Sequence, residues 1–210
     1  MSEISNILEK LKGTVEYQTL TEIETAYERI DQEQNVWYEK SGFRCPYGCG
    51  ECCAHFEPDL MVSEALYMGA WLLENQPDTA HKIAEGIFPF YAEDHCPFFN
   101  TESPFHCSIY GGRPFICRLF GASGVKSKSG KLVWKPCRFY PSELLAEHAP
   151  ALEHRQYTSD ELMHIFGKVP PDMEALMAGT DAETVLLRDI LPQIIRHLLF
   201  IISLGSTQAG

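Results

Sequence analysis

The chain has 210 residues, 45% of them hydrophobic and 22% charged, with a formal net charge of −12. This is the composition of an ordinary globular protein, long enough to bury a core without covalent staples, and one domain over residues 1–210 is expected. The acidity argues against nucleic acid as a partner.

Residues 1–40 read as an N-terminal helical extension. A short amphipathic piece carries Ile4, Ile7, Leu8 and Leu11, and Gly13 breaks it. A second piece places Leu20, Ile23, Tyr27, Ile30 and Trp37 at helical intervals, with Thr21 and Glu24 at capping-box spacing partway along. The repeat is short for a coiled coil and fits a helix packed on its own core; a protein partner docking on the helical flanks is the alternative.

Residues 41–140 read as a Cys-rich core. Ser41-Gly42 ends the preceding helix, and Glu57-Pro58-Asp59 makes a turn. Ser63 is the expected N-cap of a helix through Glu74, with Leu66, Ala70 and Leu73 on one face. Pro77-Asp78 opens a further short helix that Gly86 closes. From Phe88 to Tyr140 the periodicity vanishes among prolines at 89, 97, 104, 114 and 136. One hairpin is expected there, Gly121–Lys126 with Lys131–Lys135 around Ser127-Lys128-Ser129-Gly130.

Residues 141–210 return to helix. Ser142 and Thr158 are the expected N-caps, the latter with Glu161 in a capping box; Pro170-Pro171-Asp172 opens a short helix closed by Gly179. Thr180 with Glu183 is expected to cap a last, mostly apolar core helix over 182–203, with Pro192 inside it. The longest apolar run, Leu198–Leu204, is far short of the ~20 residues of a spanning helix. No cationic segment leads into an apolar run at the start. A cytoplasmic protein with reduced thiols and no membrane partner is therefore expected. The fold class is mainly α (α+β), with helices enclosing an irregular, loop-rich centre.

That centre is chemical. Cys45-Pro-Tyr-Gly-Cys49-Gly-Glu-Cys52-Cys53 packs four thiols into nine residues, and Cys96, Cys107, Cys117 and Cys137 complete the eight. From Ser103 to Ser142 there is no carboxylate but seven cations, a basic island in an acidic chain. Disulfides are disfavoured by the reducing compartment and by the strain of pairing vicinal Cys52 and Cys53. Two metal readings remain: structural zinc, since thiolates a few residues apart converge on a tetrahedral ion, and an iron–sulfur cluster with cysteine ligands. Thiol count, Cys–Pro junctions and aromatic shielding lean the choice toward iron–sulfur.

Adjacent side chains point different ways, so Cys52 and Cys53 are not expected to serve one ion in the same manner. Eight thiols suffice for two four-cysteine sites, or for one cluster plus one ion. A four-thiolate zinc or an oxidised four-iron cluster is a dianion and needs counter-charges. Arg44, Arg113, Arg118 and Arg138, each near a cysteine in sequence, are the candidates for binding that cofactor. His55, His95 and His106 lie within two residues of a cysteine and read as neighbours of the ligands rather than ligands. Phe98, Phe99, Phe105, Tyr110, Phe115, Phe120 and Phe139 read as a dry shell around them.

Cys45-x3-Cys49-x2-Cys52 also resembles the three-cysteine loop of radical S-adenosylmethionine enzymes. The chain lacks that family's alternating strands and helices, and Glu51 stands where an aromatic is expected. A longer resemblance runs through Cys45–Cys53, Cys96-Pro-Phe-Phe and Cys107-Ser-Ile-Tyr-Gly-Gly-Arg-Pro-Phe-Ile-Cys117-Arg-Leu-Phe. It resembles the YkgJ family of cysteine-cluster proteins over about residues 43–140, with one residue more in the first gap. The resemblance implies a zinc- or iron-chelating domain with eight cysteines. The same domain is similar to part of the flagellin lysine N-methylases, which use S-adenosylmethionine, but no Gly-rich loop for that cofactor is evident. The expected function is metal binding through Cys45, Cys49, Cys52, Cys53, Cys96, Cys107, Cys117 and Cys137, in a redox, sensing or metal-handling role. The alternatives are an iron–sulfur-dependent modifying enzyme and a structural zinc module for partner binding.

Overall fold

The computed structural model describes residues 2–90, 95–176 and 183–207. In chain order the elements are α1 (Ser5–Lys10), α2 (Val15–Ser41), β1 (Asp59–Leu60), α3 (Val62–Asn75), α4 (Pro77–Ala84), α5 (Phe115–Leu119), β2 (Val125–Lys126), β3 (Leu132–Trp134), α6 (Ser142–Glu147), β4 (Tyr157–Thr158), α7 (Ser159–Phe166), α8 (Met173–Leu176), β5 (Val185–Leu186) and α9 (Leu187–Thr207). The fold is mainly helical with small antiparallel strands, as the sequence implies. No described helix is long and apolar enough to cross a membrane.

The chain traces two compact units. The first unit is built from residues 1–25, 50–114 and 180–210, the second from 26–49 and 115–179.

In the first unit, α9 supplies the centre of the core. Leu187, Ile190, Leu191, Ile195 and Leu198 are buried, with Ala65, Met68 and Leu72 of α3 and Ala80 and Ile83 of α4 in the same cluster or core. Gly69 of α3 makes the close approach possible: a Cβ there would stand 3.2 Å from both Ile194 and Leu198. Glu74 of α3 accepts the Ile7 N–H of α1 at 3.0 Å, which ties the N-terminal segment to the unit. β1 and β5 form a two-stranded ladder with Asp59 opposite Leu186.

That ladder moves the start of the last helix. The helix begins at Leu187, not 182, because Val185 and Leu186 are taken up by strand pairing. Its first amides are served from a distance: Leu187 N–H donates to Pro58 O at 3.2 Å and Arg188 N–H to Glu57 Oε1 at 3.1 Å. Of the expected cap, Thr180 lies outside the described residues. Two other caps shift as well. α2 starts at Val15 with the Thr14 hydroxyl accepting the Tyr17 N–H at 3.2 Å, and Thr21 lies inside the helix, donating to the Tyr17 carbonyl. In α3 the N-cap is Met61, whose N–H donates to Glu64 at 2.9 Å, so Ser63 falls inside the first turn.

The second unit packs aromatics at its core. Trp37 meets Trp134 and Phe166 edge-on, with ring centroids at 5.4 and 5.5 Å, and Phe43 meets Trp134 at 5.0 Å. The expected hairpin forms between β2 and β3, with Val125 opposite Val133 and Gly130 at a φ of 77° in the turn. β4 adds a third strand beside β3. The Thr158–Glu161 capping box opens α7: Thr158 Oγ1 accepts the Glu161 N–H at 3.3 Å and the carboxylate accepts the Thr158 N–H at 2.8 Å. Asp172 caps α8 by accepting the Glu174 N–H at 3.0 Å; Gly179, expected to close that helix, lies outside the described residues.

The place of α9 in the first core gives a direct test. Leu191 is 0% exposed. Leu191→Ala is expected to lower stability by about 2–5 kcal/mol, read as a lower urea midpoint with an unchanged slope.

Candidate metal centre

All eight cysteines lie within the described residues, and no disulfide joins them. The units divide them equally. Cys52, Cys53, Cys96 and Cys107 belong to the first unit, and Cys45, Cys49, Cys117 and Cys137 to the second.

In the first unit, residues 50–54 form a tight turn in which the Cys53 and Ala54 N–H groups both donate to Gly50 O, at 2.8 and 3.2 Å. Successive side chains on such a turn do not alternate as they do on a strand. The Cys52 and Cys53 sulfurs therefore come within 4.0 Å of each other, rather than diverging as expected from their adjacency. The Cys96 N–H donates to Cys53 O at 3.4 Å, which brings the second loop alongside. That loop is paired in turn with the Cys107 loop: Phe99 bridges Cys107, Asn100 N–H donates to His106 O at 2.9 Å, and Ser108 N–H to Phe98 O at 3.0 Å. Three separate peptide segments that carry these four cysteines are thus paired through their backbones.

The thiols differ in character. The Cys53 thiol, hydrogen-bonded to Cys52, holds the Cys52 pKa down to about 7 against the opposing effect of burial, with a smaller contribution from Arg113. Burial pushes Cys96 up to about 12, and the neighbouring Cys107 thiolate adds to this. Burial likewise raises Cys107, although Arg113 pulls it down. Buried sulfur at these positions resists ionisation unless a cation arrives.

Among the described residues no three His, Cys, Asp or Glu side chains stand together in a geometry ready to hold an ion.

The first unit also holds Arg113 and the three histidines. Arg113 stacks over Tyr110 at 3.4 Å from the ring centroid. His55, His95, Phe99 and His106 follow one another, with centroids 6.0, 5.8 and 5.8 Å apart. Phe105 stacks on Tyr110, and Phe98 is buried in the core. Phe105 and His106 both take left-handed backbone, with φ of 58° and 53°. This places the His106 Cβ against Gly50, where a Cβ on residue 50 would approach it to 2.2 Å. Glycine is required there because any side chain would separate the Cys52–Cys53 turn from the Cys107 loop.

In the second unit the thiols lie on α5 (Cys117) and on loops. The Cys137 Cβ is 3.3 Å from where a Cβ of Gly121 would be, just beyond α5, and the Tyr140 N–H donates to Cys137 O at 2.9 Å. Burial, and then the Cys45 thiolate, raise the Tyr140 phenol, whose ring lies 4.6 Å from Phe43. Arg118 is buried against Tyr27, 3.9 Å from its centroid, and 3.8 Å from Asp31. Arg44 and Arg138 are exposed, over Tyr38 at 5.3 Å and Phe139 at 4.5 Å. Phe115 is buried edge-on to Tyr27, while Phe120 and Phe139 are half-buried.

Two residues that local sequence does not single out complete the first unit's set. Arg188, at the start of α9, forms an ion pair with Glu57 at 2.8 Å and donates to His95 O at 2.6 Å. Burial raises the Glu57 carboxyl even though Arg188 opposes it. The pair fastens the chain just after Cys53 to the chain just before Cys96. No spacing signal connects residue 188 to residues 57 and 95, so only the folded chain reveals it.

Residues 44–138 match the family model CxxCxxCC, described as "Putative zinc- or iron-chelating domain". This segment is similar to the CxxCxxCC domain. It covers a little under half of the chain and contains all eight thiols. No curated protein and no solved structure matches the chain. The donor chemistry of the domain fits its description: thiolates suit zinc and iron, and a metal ion is its partner.

The contrast among the thiols is measurable. In the metal-free protein, alkylation of Cys52 should rise with pH and level off above about pH 7, whereas Cys96, held near 12, should remain slow and still rising at pH 9. Peptide mass spectrometry of a timed iodoacetamide reaction reads both. Gly50→Ala should destabilise the protein by about 1–3 kcal/mol, because the clash is with a Cβ rather than a flexible chain end. Its melting temperature should fall accordingly.

Proposed function

We propose that this is a cytosolic metal-binding protein that takes up and holds zinc or iron through the cysteine thiolates of its CxxCxxCC domain. One observation carries the reading: Cys52, Cys53, Cys96 and Cys107, drawn from three separate segments, lie in one unit with two of the sulfurs 4.0 Å apart. With metal–sulfur bonds of ~2.3 Å, the edge of a tetrahedral four-thiolate site is about 3.8 Å. The 4.0 Å spacing supports a single ion, zinc or iron without bridging sulfide, over the cluster toward which the sequence leans. An iron–sulfur cluster is the second reading, supported by the all-thiol donors and by Phe98 and Phe99 in the Cys96 loop.

Bound metal supplies the positive charge that buried sulfur lacks. Burial favours the neutral form of Cys96 and Cys107, and these thiols would release their protons on holding a divalent ion as thiolates. Arg113, beside Cys52 and Cys107, offsets the remaining negative charge.

Elemental analysis and a visible spectrum of anaerobically purified protein decide the metal. Bound zinc with no colour is expected, and a brown protein carrying iron and sulfide would favour the second reading. Chelation should lower the melting temperature, and re-addition of metal should restore it. A chain with neither metal as isolated nor any uptake of Zn²⁺ or Fe²⁺ would overturn the proposal.

A further inference from the structure

We infer that the eight thiols form two separate four-thiol metal sites, one within each compact unit, and that the boundary between them falls inside the CxxCxxCC motif itself. Along the sequence, Cys45, Cys49, Cys52 and Cys53 look like one cluster. In the fold the chain passes from the second unit to the first between Cys49 and Gly50. The motif is therefore a junction, and each half finds its other two thiols elsewhere in its own unit.

For the first unit the grouping of Cys52 and Cys53 with Cys96 and Cys107 rests on backbone pairing. The Cys53 carbonyl meets the Cys96 amide, and the Phe98–Asn100 segment is laddered to His106–Ser108. Gly50, pressed on His106, and the Arg188–Glu57 pair hold those segments from either side. For the second unit, the remaining four cysteines share one compact unit, and Cys137 packs against Gly121, the second residue beyond α5, which carries Cys117. Cys49 follows Cys45 through the turn in which its N–H donates to Pro46 O at 3.1 Å.

Stoichiometry and charge agree with this division. Four thiolates satisfy one tetrahedral ion, and eight satisfy two with none left over. Each four-thiolate site on a divalent ion carries two negative charges, and each unit has its own arginines: Arg113 in the first, and Arg44, Arg118 and Arg138 in the second. The division also accounts for the vicinal pair. Cys52 and Cys53 lie on a turn that presents both sulfurs to one side, so neither needs a different centre.

This inference rests on the proposed metal binding, and the experiment separates the two. The full chain is loaded with Zn²⁺, and metal content is measured for the wild type and for two double variants, Cys96→Ser/Cys107→Ser and Cys117→Ser/Cys137→Ser. The wild type should hold two ions, and each variant about half of the wild-type content. Loss of all metal from either variant would point to one shared centre and overturn the division. The wild-type chain alone provides an independent readout should a variant misfold. Zn²⁺ is added stepwise to metal-free protein, and the thiols protected from alkylation are mapped by mass spectrometry. Protection should appear in the sets 52/53/96/107 and 45/49/117/137. Joint protection of Cys45, Cys49 and Cys52 as one set would overturn the division while leaving metal binding intact. A wild type that binds no zinc or iron would overturn both.

Discussion

The first unit depends on one junction, where Arg188 at the start of α9 meets Glu57 and the His95 carbonyl. Three needs are met there at once. The first turn of α9 gains acceptors for its exposed amides, the turn carrying Cys52 and Cys53 is anchored, and the loop carrying Cys96 is held beside it. The junction has rigid backing because Leu187, Ile190 and Leu191, on the same helical turn and the next, are buried in the core. A helix otherwise concerned with burying apolar surface thus helps to fix the loops, whose Phe98 and Ile109 are buried in the same core.

Those loops carry the chemistry because helices and strands would not suit it. A four-coordinate site needs donors approaching from four directions, and thiols at a fixed helical or strand period cannot all do so. Of the eight cysteines only Cys117 lies in a helix. The surrounding prolines and glycines give the irregular paths, and at Phe105 and His106 the backbone enters the left-handed region to bring the Cys107 loop under Gly50. Burial of Cys96 and Cys107 then disfavours their thiolates in the absence of a cation. In the proposed reading a bound metal ion would compensate that ionisation.

Much of the fold was legible from the sequence. The capping box at Thr158, the proline-led start of α4, the β2–β3 turn and the apolar run of α9 are local signals, and local signals survive folding. Where a local signal misleads, a distant partner or a competing neighbour has intervened. Val185 and Leu186 fit a helix until Asp59 and Leu60 pair with them as a strand. Ser63 fits an N-cap until Glu64 takes the Met61 amide and starts the helix earlier.

The sequence alone supplies the inventory: eight thiols, an arginine near many of them, and helical flanks on both sides. Which groups become neighbours in space depends on the folded chain. Cys49 and Cys52 are three residues apart yet belong to different compact units, while Cys53 and Cys96 are separated by a long stretch and share a backbone hydrogen bond. Spacing along a chain limits how far apart two groups can be. Which of the permitted neighbours they keep is set by the contacts that bury apolar surface and satisfy backbone polar groups, and those are made across the whole fold.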